Sequence, residues 1–492
     1  MKKLFITTSL CTSIAISFFA YSNCSQSNNA IDNLPDLGSS AENVLPPHLA
    51  SQVGNAFVRQ ARAQMEFIDD PLLLDYINSL GNKLSSVASQ GTLFENQTFT
   101  FHLIKDDSIN AFAVPGGHIF IHSGLINSSK NEGQLAATLA HEIAHITENH
   151  SARGIENSQY DGVIAMAAVL LAIASGDAET AQVAITASQG GIIQKRLNFS
   201  RAFEREADDK AISTLHRAGF DPKALPQFLT ILDQKQKLSS SNPPAFLLTH
   251  PLTAERISMT ELRANAIDSS RQANQYSTSF NDFKAKISVD SVQNAKLIAQ
   301  SLRLDKNSLI EPSDYYKYGL ALTKLNQFSQ AENQLEIALS KDALNLNYLM
   351  ALNDLDLAKQ DFQSAINRFE DVKVNRFKDY KKIALYHAYT LIMAKQNKKA
   401  IAVLKQVITD KPKNPDARIL LARAYGEQNL LFESFSQRAE YHYLRGNLDF
   451  AIQQINTAMS YAPDIDEKKR LRSTLRDYQE ELRNTKEALK KL

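Results

Sequence analysis

Three alanines, Ala331, Ala365 and Ala400, stand 34 and 35 residues apart, and each opens a stretch whose apolar residues recur at helical spacing. Phe328-Ser329-Gln330-Ala331 is echoed by Phe362-Gln363-Ser364-Ala365, then by Asn397-Lys398-Lys399-Ala400. Gly319, Ala321 and Ala388 supply small residues to a preceding helix, and Asp410-Lys411-Pro412 and Ala462-Pro463 close units. A helix-turn-helix repeated at this period cannot bury its apolar face within one unit. It must stack units into a solenoid. The pattern restarts at Gly446–Ala451, 51 residues after Ala400, which is one and a half periods and predicts an irregular repeat.

The period is that of the tetratricopeptide repeat, expected over residues 311–492 with the charged last helix, 465–490, as a cap. The 492 residues suffice for two to four domains. Hydrophobic residues at 43% and charged residues at 22% are globular values. Lys and Arg number 54 against 53 Asp and Glu, which argues against a nucleic-acid protein driven by a basic field. Two cysteines exclude a disulfide framework and any zinc site built from several thiolates. A metal site here has to be made of His and carboxylate.

Met1-Lys2-Lys3, the apolar stretch Leu4–Ala20 and the small residues of Ala20-Tyr21-Ser22 predict a cleaved signal peptide over 1–22, and so export to the periplasm. Lipoprotein anchoring through Cys24 is the alternative, disfavoured by Tyr21 and Asn23. Residues 23–47 read as a linker. Residues 48–90 look helical. Thr98–Leu103 alternates like a strand, and Ala111–Val114, Pro115-Gly116-Gly117 and Ile119–Ile121 form a plausible hairpin. Helices follow over about 130–268, then a linker and connecting helix over 269–310. Val163–Ala174 is apolar but only 12 residues long, too short to span a bilayer.

His141-Glu142-Ile143-Ala144-His145 carries the chemistry. Residues four apart share one helix face, so both imidazoles can point at one ion. Glu142, about 100° round the helix from His141, reaches the side where a water would sit. Zinc acidifies such a water and the carboxylate takes its proton as a carbonyl is attacked. A third ligand is required. His150 is rotated about 140° away from His145 and reads as a supporting or surface residue. Phe203-Glu204-Arg205-Glu206-Ala207-Asp208 opens a helix with the apolar stripe Phe203, Ala207, Ala211, Leu215 and Ala218, closing at Gly219. Glu204 and Asp208 border that stripe, while Glu206 falls on the wet side. Glu204 is the expected ligand, and Asp208 the expected hydrogen-bond partner of a ligating imidazole.

These segments together resemble the HtpX/BepA class of zinc metallopeptidases. Asn110–Gly117 with Gly124-Leu125, and His250-Pro251-Leu252 with Arg256, match further segments of that class. The resemblance covers nearly the whole mature chain. It implies one zinc ion on His141, His145 and Glu204, with Glu142 as general base. The exported leader and C-terminal repeats narrow it to the periplasmic type that assists outer-membrane β-barrel assembly and degrades failures. The expected fold is therefore mainly α with a small antiparallel sheet. A zincin-like metallopeptidase domain over 48–268 precedes an α-solenoid of tetratricopeptide repeats.

Three readings of His250 stay open: it fills an open zinc position and keeps the protease latent, it donates to an oxyanion, or it is an ordinary loop residue. Asn110, Ala111, Phe112 and Ala113 suggest an edge strand to which an extended peptide adds. The expected partners are misfolded or assembling outer-membrane proteins, and the assembly complex docked through the repeats. A scaffold with rare proteolysis is the competing function, and a zinc hydrolase of non-peptide substrates a weaker third.

Overall fold

The computed structural model describes residues 45–156, 190–238, 244–267, 278–304 and 310–491. The expected signal peptide, Cys24, most of the expected linker and the apolar stretch at 163–174 lie outside them. Among the described residues no helix is long and apolar enough to cross a membrane.

The described residues open with two helices, α1 (Pro47–Gln64) and α2 (Pro71–Ala88), each with proline in its first turn where no amide donor is missed. The continuous helical stretch expected over 48–90 is therefore broken. Residues 66–68 instead lie beside a strand: Lys105 N donates to Glu66 O (2.8 Å), Ile68 N donates to Leu103 O (2.9 Å), and Phe67 bridges Ile104. Asp70 restarts the helix by accepting from Leu72 N and Leu73 N.

The strands are β1 (Thr100–Ile104), β2 (Ala111–Val114) and β3 (His118–His122), in the order β1-β3-β2. The expected hairpin is present, with β2 antiparallel to β3 through Gly116 (φ 86°) and Gly117 (φ 88°). The expectation of an antiparallel sheet needs correcting, because β1 pairs with β3 in parallel and the sheet is mixed. After β1 the chain reverses and lays β2 one strand away, and β3 fills the slot between them. Alternation within each strand is blind to this choice of neighbour. Residues 66–68 cover the outer edge of β1, so β2 carries the sheet's other edge. One sheet face presents Phe101, Leu103, Ile119 and Ile121 to the main core, and the other stacks Phe112 and Phe120 under Phe57 of α1.

After the short α3 (Ser123–Ser128), α4 (Glu132–Thr147) runs through the centre of the main core, buried along most of its length. Asn131 caps it by accepting from Gln134 N. Around it stand α2, α6 (Gly190–Arg217) and α7 (Ala224–Leu238), with α5 (His150–Glu156) following α4 directly. Ala211 and Leu215 of α6 join Ala140 and Ile143 of α4 in that core. Gly219 (φ 80°) ends α6, with Phe220 N donating back to Leu215 O. A single turn, α8 (Phe246–Thr249), and α9 (Ala254–Ala266) complete this half.

Two connecting helices, α10 (Thr278–Ser288) and α11 (Val292–Leu304), lead to the repeats. Phe280, Phe283 and Ile287 of α10 belong to the main core, while Ala285 belongs to the first repeat cluster. The repeats pair α12 (Pro312–Lys324) with α13 (Phe328–Lys341), α14 (Leu346–Ala358) with α15 (Phe362–Asn375), and α16 (Phe377–Met393) with α17 (Asn397–Asp410). Then come α18 (Pro415–Gly426), α19 (Leu431–Leu444), α20 (Leu448–Ser460) and the capping α21 (Ile465–Lys491).

Each first helix ends on a left-handed residue, Asn326, Gln360, Lys395 or Asn429, with φ between 58° and 62°. In each case the next amide donates to the carbonyl five residues back, as Gln327 N does to Leu322 O at 2.9 Å. These turns recur at 34, 35 and 34 residues. The next, at Gly446 (φ 72°), follows Asn429 after only 17 residues. Helix α19 thus closes one unit and opens the next, which is the half step in the pattern. Ser434 occupies the buried position held by Ala331, Ala365, Ala400 and Ala451, and its hydroxyl is satisfied by Ala422 O at 2.8 Å.

The repeats grip the other half by charge as well as by packing. Lys286 of α10 reaches the Asp70 cap at 2.6 Å. Asp69 takes Arg62 at 2.7 Å and, from the far end of the solenoid, Arg445 at 3.1 Å, and Arg445 also meets Asp416 at 3.3 Å. Tyr348 OH donates to buried Asp282 at 2.8 Å.

Close packing in the repeats gives a direct test. A Cβ on Gly319 would lie 2.5 Å from Cγ and Cδ2 of Leu335, a wholly buried side chain. Gly319→Ala is expected to cost about 1–3 kcal/mol, whereas Gly154→Ala, which meets nothing within 4 Å, leaves thermal unfolding nearly unchanged. Equal melting temperatures for the two variants would show that the repeat interface yields freely.

Candidate metal centre

Helix α4 puts His141 and His145 on one face, one turn apart, and α6 lays Glu204 and Asp208 against them. Helix α4 is buried along most of its length, and Glu204 and Asp208 lie on the buried face of α6, so little freedom remains in where their side chains reach. The ring nitrogens His141 Nε2 and His145 Nε2 face each other at 3.1 Å. Glu204 Oε1 lies 3.4 Å from His145 Nε2, and Glu204 Oε2 lies 3.4 Å from His141 Nε2. His250, delivered by α8, places Nδ1 at 2.9 Å from Glu204 Oε1 and 3.3 Å from His141 Nε2. These four residues each offer a donor atom, all within 4.8 Å of one another. Donors 2.0–2.2 Å from a central ion in a tetrahedron stand about 3.3–3.6 Å apart. The separations given above, 2.9–3.4 Å and drawing on both oxygens of Glu204, come within a few tenths of an ångström of that spacing, and three imidazoles with one carboxylate suit zinc.

The surrounding groups fix these donors. Asp208 Oδ1 lies 3.0 Å from His141 Nδ1, which turns Nε2 of that ring inward. His150 Nδ1 meets His145 Nδ1 at 2.9 Å, and His150 Nε2 meets Glu206 Oε2 at 3.1 Å. His150 is buried rather than at the surface, stacked on Phe203, so of its two expected places only the supporting one fits. Glu206 is about one-third exposed and also pairs with Arg153. Arg256 at the start of α9 joins Asp208 through Nε (2.6 Å) and Nη2 (2.8 Å), and Glu204 Oε2 through Nη1 (2.7 Å).

Glu142 lies on the adjoining face, wholly buried, with Oε1 3.4 Å from His250 Nε2. The backbone N–H of Ala113 on β2 faces its carboxyl and favours the ionised form. That contact follows from strand register. His122 N bonds Asn110 O, so Asn110, Phe112 and Val114 bond to β3 while Ala111 and Ala113 turn their backbone groups to the outer edge. Asn110 itself precedes β2 and is fully buried. Phe246 N donates to Ile109 O, which ties the His250 segment to the start of β2.

The electrostatics follow from burial and charge. Burial opposes ionisation of Glu204, but the neighbouring His250 and Arg256 hold it well below the usual carboxylate range. Asp208 is also lowered, its burial outweighed by Arg256 and His141. Burial alone would depress His141, yet Asp208 and Glu204 beside it carry it up to about 9. Burial pushes Glu142 up to about 8 and His250 down to about 4.

Sequence reasoning named His141, Glu142, His145, Glu204, Asp208 and His250, and the fold brings all six into one cluster. It assigned no role to Arg256. A signal existed, since a cation in the first turn of a helix opposes the macrodipole and needs another reason to be there.

The profile of Peptidase family M48 matches residues 76–264, and a tetratricopeptide repeat profile matches residues 391–431. The beta-barrel assembly-enhancing protease of Escherichia coli is 35% identical over 440 residues, covering 88% of each chain. That of Yersinia pestis is 33% identical over 467 residues, covering 92% of this chain and 94% of the relative. The putative beta-barrel assembly-enhancing protease of Vibrio cholerae is 33% identical over 441 residues, covering 85% of this chain and 86% of the relative.

Burial of Glu142 gives a pH signature in the metal-stripped protein. With its carboxyl raised from 4.5 to about 8, the folded chain binds that proton more tightly than the unfolded chain. The associated stability is present below about pH 4.5 and is lost as pH rises through 8. Glu142→Gln keeps a neutral side chain throughout. Its melting temperature relative to wild type should climb between pH 4.5 and about 8 and then level off. A constant difference across that range would mean that Glu142 ionises as freely as an exposed carboxylate.

Proposed function

The chain belongs to the family of β-barrel assembly-enhancing proteases, metalloproteases acting in outer-membrane protein assembly, and from that premise we propose that it is a periplasmic zinc endopeptidase with His141, His145 and Glu204 as ligands. The observation that carries this reading is the cluster of donor atoms at 2.9–3.4 Å, drawn from two helices and one loop. A zinc ion held there supplies Lewis-acid polarisation and makes a nearby water easier to deprotonate.

The chain's own residues do the rest. Ala111 is fully buried, so an extended client finds the β2 edge only at the half-buried Ala113, through main-chain hydrogen bonds that ask little of its sequence. Glu142 stands where β2 and α4 meet, placed to take a proton from water and return it to the leaving amine. Asp208 keeps the His141 ring oriented. The repeats serve as the docking surface for misassembled barrel proteins or for the assembly machinery.

His250 acts as a latch in this reading. Its Nδ1 stands among the ligand atoms and its Nε2 faces Glu142. One imidazole therefore stands within the donor cluster and crowds the space beside Glu142 that a water would need. Phe246 stacks on the ring with centroids 4.4 Å apart, holding it there. This geometry supports latency over a role as oxyanion donor.

Metal analysis of the purified chain should give about one zinc per chain, lost in Glu204→Gln and kept in Glu142→Gln. Cleavage of a misfolded barrel protein should disappear in both. A protein that keeps its zinc without Glu204 would remove that residue from the ligand set. For the latch, His250→Ala should cleave faster than wild type. Slower cleavage would instead favour oxyanion stabilisation, whose loss costs about 10²–10³ in rate where it operates.

A further inference from the structure

Glu204 and Asp208 are both buried and sit one turn apart on α6. Like charges at this spacing repel, and burial strengthens the repulsion. The two carboxyls have different tasks. Glu204 reaches the donor cluster, and Asp208 reaches the back of the His141 ring. Something has to keep two like groups apart and pointing in two directions.

We propose that Arg256 is the positioning residue that does this, one guanidinium setting the orientation of both carboxylates and fastening them to the loop that carries His250. The planar fork divides its donors. Nε and Nη2 take both oxygens of Asp208, at 2.6 and 2.8 Å. Nη1 stands 2.7 Å from Glu204 Oε2 as an ion pair, leaving Oε1 turned to His145 and His250. Glu204 is thus held to present Oε1. Nη1 also donates to Pro251 O at 3.3 Å, the residue after His250. Thr253 caps α9 by accepting from Arg256 N at 3.1 Å, so the arginine is anchored at its own backbone.

A lysine cannot do the same. Its ammonium is a point charge on a flexible stem and lacks the planar fork that matches a carboxylate. Arg256→Lys keeps the buried positive charge, and with it the fold, while removing the geometry. Arg256→Gln removes both.

This inference rests on the metal reading above, and the experiment separates the two. Zinc affinity of the full chain is measured by chelator competition, and the visible absorption of the cobalt-loaded protein is recorded alongside. Arg256→Lys should melt within a few degrees of wild type. It should lose about 10–100-fold in zinc affinity, the usual cost of removing a partner that orients a ligand, and shift the cobalt bands. Arg256→Gln should lose more. Wild-type affinity and an unchanged cobalt spectrum in Arg256→Lys would overturn the positioning role and leave the ligand set standing. A wild-type chain that binds neither ion would overturn both.

Discussion

The close approach of α4 and α6 is the constraint on which the molecule turns. Ala140 and Ile143 meet Ala211 and Leu215 in one core, so the two helices come near enough for short side chains to bridge them. Only at that separation can Glu204 and Asp208 reach imidazoles anchored on the other helix. Desolvating two carboxylates and three imidazoles is costly. The arrangement holds because each charge faces an opposite one, with Arg256 and the raised His141 beside Glu204 and Asp208. Bulkier residues at the contact would separate the helices and leave those charges buried and unpaired.

Local patterns in the sequence predicted local structure well. The His pair and the acid pair are each read from a four-residue step, which the helix converts directly into a shared face. The repeat period is equally direct, since it reports the length of one structural unit. What escaped was information that does not reside in any one segment. Which strand neighbours which depends on how the loop over 105–110 returns the chain, and alternation in Thr100–Ile104 is the same for parallel and antiparallel pairing. The break between α1 and α2 depends on residues 66–68 finding β1, some 35 residues on. The half step was visible only as a gap, because Ser434 replaces the alanine that marks the other units. Its hydroxyl is made tolerable by a carbonyl on a different helix, Ala422 O.

The two halves are joined by more than a linker. Helix α10 gives aromatic side chains to the catalytic core and Ala285 to the first repeat cluster. Lys286 completes the cap of α2, and Tyr76 of α2 donates to Glu132 at the start of α4 at 2.6 Å. The helix bearing His141 and His145 therefore has its N-terminal end braced by a helix that the repeats themselves hold.

Arg445 and Asp69 meet across 376 positions of sequence. A polypeptide is made from its N-terminus, and domains generally take shape in that order. Residues up to Ala266, which hold the whole donor cluster, are therefore complete long before Arg445 has been added. For that interval Asp69 has Arg62 alone, and the solenoid's far end cannot yet brace α2. The youngest stage of the molecule is thus an assembled hydrolytic half without its outermost brace, and the final closure waits on one of the last helices to be translated.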